Sequence, residues 1–282
     1  MTLSISKMTL SISKLFYIDV IVLLIIEYIK YDNNLLNCNK YLSKLKKFIL
    51  NKEYSLKYIH DSDFKNLIDS KIEYSESSLG LNLSFSSITD KHLKDLDNLY
   101  KLDLTNCNNI TDEGIKYLGD RNINWLILGN STKITDKGIK LLVNLHRLQI
   151  YDCDNITDEG IQCLVNLHTL KLYYCDTITD KGIKCLYKLH TLDLNSCNKI
   201  TDKGIKLLVN LHSLYLANCV KITDQGIKCL VNLHELFLNC FDNITNEGIK
   251  DLDNLHTLVF YCCNLRICEG CEKTKQINKV KK

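Results

Sequence analysis

Proline is absent from this sequence of 282 residues, which also has only one tryptophan and two methionines. Asparagine, lysine, isoleucine and tyrosine are frequent instead, which is typical of the codon usage of an AT-rich genome rather than of a structural requirement. A strong excess of one charge is also missing, because the formal net charge is only +3. Proteins that bind nucleic acid usually carry a clustered basic face. The small net charge therefore argues against nucleic acid as the partner.

A membrane-spanning segment is missing as well. The best candidate, Leu15 to Ile29, is shorter than the roughly 20 apolar residues that cross a bilayer, and Asp19 and Glu27 interrupt it. Residues 30 to 34 contain no small-residue cleavage site of the secretory type. We therefore expect no membrane span and a location in the cytoplasm, with the nucleus as the alternative compartment.

Patterns for catalysis and cofactor binding are also lacking. No glycine-rich phosphate loop follows a strand, and the serines and cysteines have no histidine and orienting acid outside the repeating positions described below. Fourteen cysteines are present, but six of them recur at one inward-pointing repeat position, which favours reduced, buried thiols over a disulfide scaffold. We expect no catalytic residue and no cofactor, and thus a binding protein rather than an enzyme.

The main positive feature of the sequence is a repeat. An Ile-Thr-Asp tripeptide or a near copy recurs every 22 residues, with one interval of 24, from Ile88 to Ile244. A fixed short period is typical of a stacked solenoid. From Leu145 onward each unit approximates Leu-His-x-Leu-x-Leu-x-x-Cys-x-x-Ile-Thr-Asp-x-Gly-Ile-x-x-Leu, which resembles the cysteine-containing class of leucine-rich repeats over residues 79 to 263. The resemblance implies an α/β leucine-rich-repeat solenoid, with a curved parallel sheet on the concave face and short helices on the convex face.

The order of residues within each unit independently predicts the same architecture. Leu170 and Leu172 share one face of a short strand, because strand side chains alternate, and we expect them to point inward. Thr179 begins a Thr-Asp pair that is a good helix N-cap, and Gly182 in the following turn leaves room for close packing. The longer unit has its extra residues within 119 to 122, and we expect them to bulge before the next strand.

The residues that flank and separate the inward leucines, from 101 to 261, form a set that does not repeat, and we call it the concave stripe. It is rich in aromatic residues and contains arginine, which are the residue types that buried interface centres favour. We therefore predict that its partner-binding residues are Trp125, Ile127, Arg147, Tyr151, Lys171, Tyr173, Asp193, Tyr215, Glu235, Phe237 and Tyr261. Two alternatives stay open. The aromatic residues could simply suit strands and pack on one another, or they could stack on single-stranded nucleic acid, against which the acidic residues of the stripe argue.

Two sets of residues raise the question of a metal site. One repeat position just before the strand is occupied by His146, His168, His190, His212, His234 and His256. Such a ladder is more typical of duplicated units than of ligands that converge on one ion, so we predict no metal there. Near the C-terminal end, Cys262, Cys263, Cys268 and Cys271 include a C-x-x-C, which leaves zinc open as an alternative to a terminal cap.

The segment before the repeats has apolar positions that favour two or three short helices. Residues 17 to 29 are similar to the first helix of an F-box, and residues 35 to 42 resemble its second conserved stretch. An F-box followed by cysteine-type repeats is the order of the substrate receptors of SCF ubiquitin ligases. The resemblance implies a protein-binding adaptor that holds a target protein on the concave face and docks on a Skp1-type adaptor. It also implies docking through Ile18, Val20, Ile21, Ile25, Tyr28, Ile29, Leu36 and Leu42.

Three other roles remain open for this chain. The N-terminal segment could cap the solenoid or form a membrane-associated helix, and the whole chain could be a scaffold or decoy that recruits no ligase. The resulting organisation is a duplicated and disordered heptad at 1–14, an F-box-like helical segment at 15–60, a linker or cap at 61–78, the solenoid at 79–263, and a Cys/Lys-rich cap and tail at 264–282.

Overall fold

The structure is a computed structural model of the chain, and it describes residues 47–50, 52–62, 65–66, 69, 78–121, 123–239, 243–261 and 276–278. The duplicated heptad, the eight F-box-like docking residues and the four C-terminal cysteines lie outside the described residues. The predictions made for them therefore stay predictions. The chain divides into two compact units, of which the first ends at Leu83 and also includes Asn98–Lys101, while Ser84–Asp97 and the chain from Leu102 form the second.

The first unit contains a small α/β arrangement. Strand β1 (Lys47–Leu50) pairs in parallel with β2 (Ser78–Asn82), and helix α1 (Lys52–His60) lies between them in the chain. The buried Ser55 Oγ donates to the Leu50 carbonyl at 3.1 Å and accepts from the Asn82 N–H at 2.9 Å, so one hydroxyl of α1 contacts both strands. The sequence predicts two or three short helices within 15–60, and the structure adds β1 to this segment, because its backbone pairs with a strand far along the chain.

The repeats alternate strands with short helices. The strands are β3 (Leu99–Asp103), β4 (Trp125–Gly129), β5 (Arg147–Tyr151), β6 (Thr169–Tyr173), β7 (Thr191–Asn195), β8 (Ser213–Ala217), β9 (Glu235–Asn239) and β10 (Thr257–Tyr261). The helices are α2 (Asp90–Leu93), α3 (Asp112–Gly119), α4 (Asp136–Ile139), α5 (Asp158–Ile161), α6 (Asp180–Ile183), α7 (Asp202–Ile205), α8 (Asp224–Ile227) and α9 (Asn246–Ile249). From β4 to β10 each strand pairs in parallel with the next at equivalent repeat positions, such as Leu148 with Leu170. The short β11 (Gln276–Asn278) pairs antiparallel with β10. Parallel strands that alternate with short helices confirm the predicted leucine-rich-repeat solenoid.

The interior is filled by the residues that the repeat predicts to point inward. Leu170, Leu172 and the helical Ile183 have no exposed surface. The repeat cysteine is buried beside them, and the Cys175 thiol donates to the carbonyl of Ile150 in the preceding unit at 3.7 Å. Burial raises the pKa of the Cys175 thiol to about 12. These cysteines are thus neutral packing residues, which agrees with the expectation of reduced, buried thiols.

Adjacent units are joined on the helix side by a contact that recurs along the chain. Thr179 caps its own helix by accepting from the Lys181 N–H at 3.2 Å, as predicted. Asp158 of the preceding unit accepts from the Thr179 N–H and hydroxyl, both at 2.7 Å, and from the Gly182 N–H at 2.9 Å. A Cβ added to Gly182 would lie 2.6 Å from the Asp158 Oδ1. The repeat glycine is therefore required because a carboxylate from the neighbouring unit occupies the space of its side chain.

The longer unit differs from the predicted bulge. Its helix α3 has 8 residues, whereas the helices of the next three units have 4. The additional residues therefore lengthen the helix before the chain turns toward β4. Arg121 holds this turn, because its Nε donates to Asp97 Oδ1 at 2.8 Å and its Nη1 donates to the Tyr117 carbonyl at 3.2 Å. A helix can absorb inserted residues at lower cost than a loop, since it satisfies their backbone groups internally.

Candidate protein-binding face

The concave stripe lies on the sheet face opposite the inward leucines. In β6 to β9 the central three residues alternate between half-buried and buried, and the leucines are the buried ones. Arg147 is exposed, and the half-buried members of the predicted set are Trp125, Tyr151, Lys171, Tyr173, Asp193, Tyr215, Glu235 and Phe237. The backbone of Tyr261 belongs to β10, but its side chain lies outside the described residues.

Ile127 requires a correction to the predicted site. Only 8% of its surface is exposed, so it is not an open contact residue as the alternation predicts. It does face the same side as the rest of the stripe, but it forms the floor of a pocket whose walls are taller side chains, including Tyr151. Alternation fixes the direction of a strand side chain and not its exposure, which depends on the size of its neighbours.

The aromatic residues of the stripe are held by one another and by charged groups. The rings of Tyr151 and Tyr173 stack at 4.6 Å, and the Tyr173 hydroxyl donates to Asp193 Oδ2 at 2.7 Å. The Lys171 Nζ lies 3.4 Å from the same Asp193 carboxylate. The alternative that these side chains pack on one another is therefore observed. It is compatible with partner binding, since the same contacts would order the side chains before a partner arrives.

A second group of contacts lies further along the stripe. The rings of Tyr215 and Phe237 stack at 4.3 Å, and Glu235 accepts from the Ser213 hydroxyl at 2.9 Å. Nearer the other end, the Arg147 guanidinium lies over the Trp125 ring, 5.5 Å from its centroid. The stripe thus offers flat aromatic surfaces flanked by both signs of charge, which is a surface suited to a protein.

Burial keeps the tyrosines of the stripe protonated. Desolvation raises the pKa of Tyr151, of Tyr173 and of Tyr215, and the hydrogen bond to Asp193 raises that of Tyr173 further. Each phenol therefore remains a neutral hydrogen-bond donor at physiological pH.

A pocket of about 320 Å³ opens on the strand face between β3 and β5. Phe85, Ile127 and Tyr151 supply apolar walls and floor, and Asp103, Thr105 and Asn130 supply polar atoms. The sequence analysis predicts Ile127 and Tyr151 as binding residues but misses the other five, which include Ser84. The sequence feature that could have drawn attention to this part of the stripe is Gly129, a glycine at a strand position where the neighbouring units carry Thr105 and Tyr151.

The six repeat histidines form the predicted ladder, with ring centroids 4.8 to 5.5 Å apart. In four of them the Nδ1 lies 2.7 to 2.9 Å from the carbonyl two residues earlier. The Nδ1–H therefore donates to the backbone, and stacking aligns the rings in one row instead of converging their nitrogens on a point. Within the part of the chain that the structure describes, no group of three or more histidine, cysteine or acidic side chains could hold a metal ion.

Two exposed aromatic residues at the ends of strands also escape the sequence analysis. Phe85 and Tyr174 are 67% and 61% exposed and have φ angles of 56° and 57°. The same repeat position carries small polar residues elsewhere, such as Asn106 and Asp152, which tolerate the left-handed region. A bulky residue at this repeat position can be seen in the sequence, and it could have identified Phe85 and Tyr174.

Comparisons with known proteins agree with this description. A family model described as leucine-rich repeat matches residues 98–119, 142–165, 165–186, 188–209 and 208–231. A search of curated proteins found no match. Among the described residues, no helix combines the length and apolar character needed to cross a membrane.

The solved structures that are similar to this chain include the following two. One is a chain in the complex of Rad7 and Elc1 from yeast, with 18% identity, coverage of 83% of this chain and 85% of that chain, and a TM-score of 0.36. The other is an internalin from Listeria monocytogenes, with 19% identity, coverage of 70% and 71%, and a TM-score of 0.42. At these values neither similarity bears on function.

Proposed function

Because the second unit is a leucine-rich-repeat solenoid, a fold that indicates a protein-binding scaffold, we propose that the chain binds a target protein on its concave stripe and performs no catalysis itself. The observation that carries the proposal is the contrast between a repeated interior and a stripe that changes from unit to unit. The stripe combines stacked aromatic pairs, such as Tyr151 with Tyr173, with the exposed Arg147. Aromatic and arginine side chains dominate the energetics of protein interfaces.

The order already present in the stripe supports this role. A flexible side chain that becomes fixed on binding costs about 0.5–1.5 kcal/mol in lost freedom. Tyr173 is already stacked on Tyr151 and bonded to Asp193, so less of this cost remains. The half-exposed rings still offer apolar area to a partner. Nucleic acid is the weaker candidate, because Asp193 and Glu235 lie among the same rings and repel phosphate.

The target can be sought by affinity purification from the cells that express the protein. The full-length chain is compared with a variant that carries Trp125→Ala, Tyr151→Ala, Tyr173→Ala and Tyr215→Ala. We expect the variant to lose the specific target and to keep the circular dichroism spectrum of the folded solenoid, although its Tm should fall, because these half-buried rings stack on their neighbours. Lys137→Ala with Lys203→Ala, on the helix side, is the control that should retain the target. A target that binds both variants equally would place the interface elsewhere.

We further propose that the chain is the substrate-recognition subunit of an SCF-type ubiquitin ligase, with residues 15–60 docking on a Skp1-type adaptor in the cytoplasm or nucleus. This finer proposal is supported by the F-box-like sequence of residues 17–42 and its place before the repeats. We expect purified Skp1 to bind the full-length chain. The variant that carries Ile25→Asp and Tyr28→Asp should not bind it. The four stripe substitutions above should leave Skp1 binding intact. Absence of Skp1 binding by the wild-type chain would reject the ligase role and leave a scaffold or decoy.

A further inference from the structure

The pocket of about 320 Å³ on the strand face lies beside a crowded stretch of β4. In the stripe, Gly129 pairs directly with Tyr151 of the following unit. A Cβ added to Gly129 would lie 2.8 Å from the Thr105 Cγ2 and 3.3 Å from the Tyr151 Cβ. Thr105 and Tyr151, which line the pocket, therefore pack closely against the backbone at Gly129.

The pocket carries one charged group, the carboxylate of Asp103. Asp103 accepts one hydrogen bond, from the Thr105 N–H at 3.0 Å. The comparable Asp193 has the Lys171 Nζ at 3.4 Å and the Tyr173 hydroxyl at 2.7 Å. No lysine or arginine is among the described residues that line the pocket. The pocket therefore presents a negative charge that the surrounding side chains do not neutralise.

Three cations of the stripe, Lys101, Arg147 and Lys171, lie outside the lining of the pocket. The Arg147 guanidinium lies over the Trp125 ring at 5.5 Å, and the Lys171 Nζ is 3.4 Å from Asp193 and 5.9 Å from the Tyr215 ring. A basic group from another molecule therefore meets no competing charge inside the pocket.

The aromatic walls of the pocket suit the stem of a long basic side chain. Tyr151 stacks on Tyr173, which fixes its position. Phe85 has a φ of 56°, a conformation that is unfavourable for a bulky residue, and its N–H donates to the Thr105 carbonyl at 2.7 Å. Lysine and arginine bury their apolar stems on such surfaces and place their charge at a carboxylate or an aromatic face.

We propose that this pocket binds a lysine or arginine side chain of the target protein, with its cation at Asp103 and its stem between Phe85 and Tyr151. The inference rests on the proposed function of the stripe and adds the kind of residue that the stripe anchors. Charge complementarity selects a basic side chain, because the pocket combines one carboxylate with hydroxyl and amide oxygens that accept hydrogen bonds.

The test uses the full-length protein and the peptide acetyl-Gly-Gly-Arg-Gly-Gly-amide, with lysine and citrulline counterparts. Binding is followed by NMR through the methyl signals of Ile127 and the amide signal of Gly129. We expect the arginine or the lysine peptide to shift these signals saturably, and the neutral citrulline peptide, which has nearly the shape of arginine, to bind about tenfold more weakly or not at all. Equal binding of citrulline, or shifts confined to other residues, would overturn the proposal.

Two variants locate the site. Asp103→Asn keeps the shape of the side chain and should weaken peptide binding about tenfold, because a charge-assisted hydrogen bond is lost. Gly129→Ala should also weaken it, because its Cβ would displace Thr105 and Tyr151, which line the pocket. Asp154→Asn is the control, since it makes the same charge change at an exposed turn outside the pocket. Unchanged peptide binding by Asp103→Asn would overturn the proposal even if Gly129→Ala proved unstable.

The peptide experiment separates this inference from the proposed function. If the stripe variant with four alanines loses the target but no peptide binds the wild-type pocket, the basic-residue inference fails and the scaffold function stands. If the peptide binds at Gly129 but the target is insensitive to the stripe substitutions, the pocket is real and the proposed interface fails.

Discussion

The helix side and the strand face of the same repeats follow opposite patterns. On the helix side, one contact recurs from Asp90 to Asp224, each carboxylate accepting from the N–H and the hydroxyl of the next unit's threonine. On the strand face the contacts differ from unit to unit, as in the stacking of Tyr151 on Tyr173 and the approach of Lys171 to Asp193. The repeated contacts set the spacing of the units, which leaves the stripe free to vary with its partner.

The largest effect should come from removing one carboxylate of the helix side, which tests whether the repeated contacts join the units. Asp158→Ala takes away three hydrogen bonds to the next unit, all between 2.7 and 2.9 Å. Hydrogen bonds to charged groups contribute about 1.5–3 kcal/mol each, and water can replace part of them at this half-buried site, so we expect unfolding free energy to fall by about 3 kcal/mol. Urea unfolding, monitored by circular dichroism, measures this fall in unfolding free energy.

The control for this prediction is Asp154→Ala, which removes an exposed carboxylate from the same unit. It should change the unfolding free energy by about 0.5 kcal/mol or less. Target binding should survive in the folded fraction of both variants. Equal effects of the two substitutions on stability would show that the carboxylates of the helix side do not join the units.

A somewhat smaller effect is expected from Gly182→Ala. Alanine normally stabilises a helix relative to glycine by about 1 kcal/mol, but here its Cβ would lie 2.6 Å from the Asp158 Oδ1. We expect a net loss of about 2 kcal/mol in unfolding free energy, as is typical of overpacking. In the Asp158→Ala background the penalty should shrink by about 1 kcal/mol, because the carboxylate is gone. Strict additivity in this double-mutant cycle would contradict the explanation.

Gly182 also shows which features of the structure cannot be predicted from the sequence. The inward position of Leu170, the cap at Thr179 and the histidine ladder follow from the order of residues within one unit, and the structure confirms them. The reason for Gly182 lies in Asp158, which is 24 residues earlier. Spacing alone does not reveal such a partner, because the alternatives differ only in how the units stack.

The candidate site was predictable to a similar extent. Alternation predicts which face of the sheet the stripe residues occupy, but the burial of Ile127 and the pocket beside it depend on the sizes of side chains from other units, such as Phe85 and Tyr151. Pairing with β2 also makes residues 47–50 a strand, within a segment for which the sequence predicts only short helices. In each case a contact distant in sequence outweighs the local signal.

The buried cysteines predict a pH dependence of stability of about 1 kcal/mol for each thiol. Burial raises the pKa of Cys175 and of Cys197 from 9.0 to about 12. Above pH 9 the unfolded chain releases these protons and the folded chain does not, so stability that is complete below pH 9 is lost as the pH rises toward 12. Each thiol should contribute a loss of about 1 kcal/mol by one pH unit above its unfolded value.

Urea unfolding between pH 8 and about pH 10.5 measures this slope, and Cys175→Ala should reduce it. Native-state alkylation at pH 8 provides a second measurement. Peptide mapping should find the half-buried Cys163, Cys185 and Cys229 modified well before the buried Cys175 and Cys197, since the thiolate is the reactive species. Modification of all five at one rate would mean that the interior opens readily.

The smallest change in stability is expected on the strand face, at Arg147→Gln. The guanidinium is exposed and lies over the Trp125 ring at 5.5 Å, a contact that contributes about 0.5–1 kcal/mol at such a site. The target, however, should bind about tenfold more weakly if Arg147 lies at the centre of the interface. Lys203→Gln removes the same charge from the helix side and should leave both quantities unchanged. A loss of stability at Arg147 as large as that at Asp158 would mean that the stripe also holds the units together, and its freedom to vary would then need another explanation.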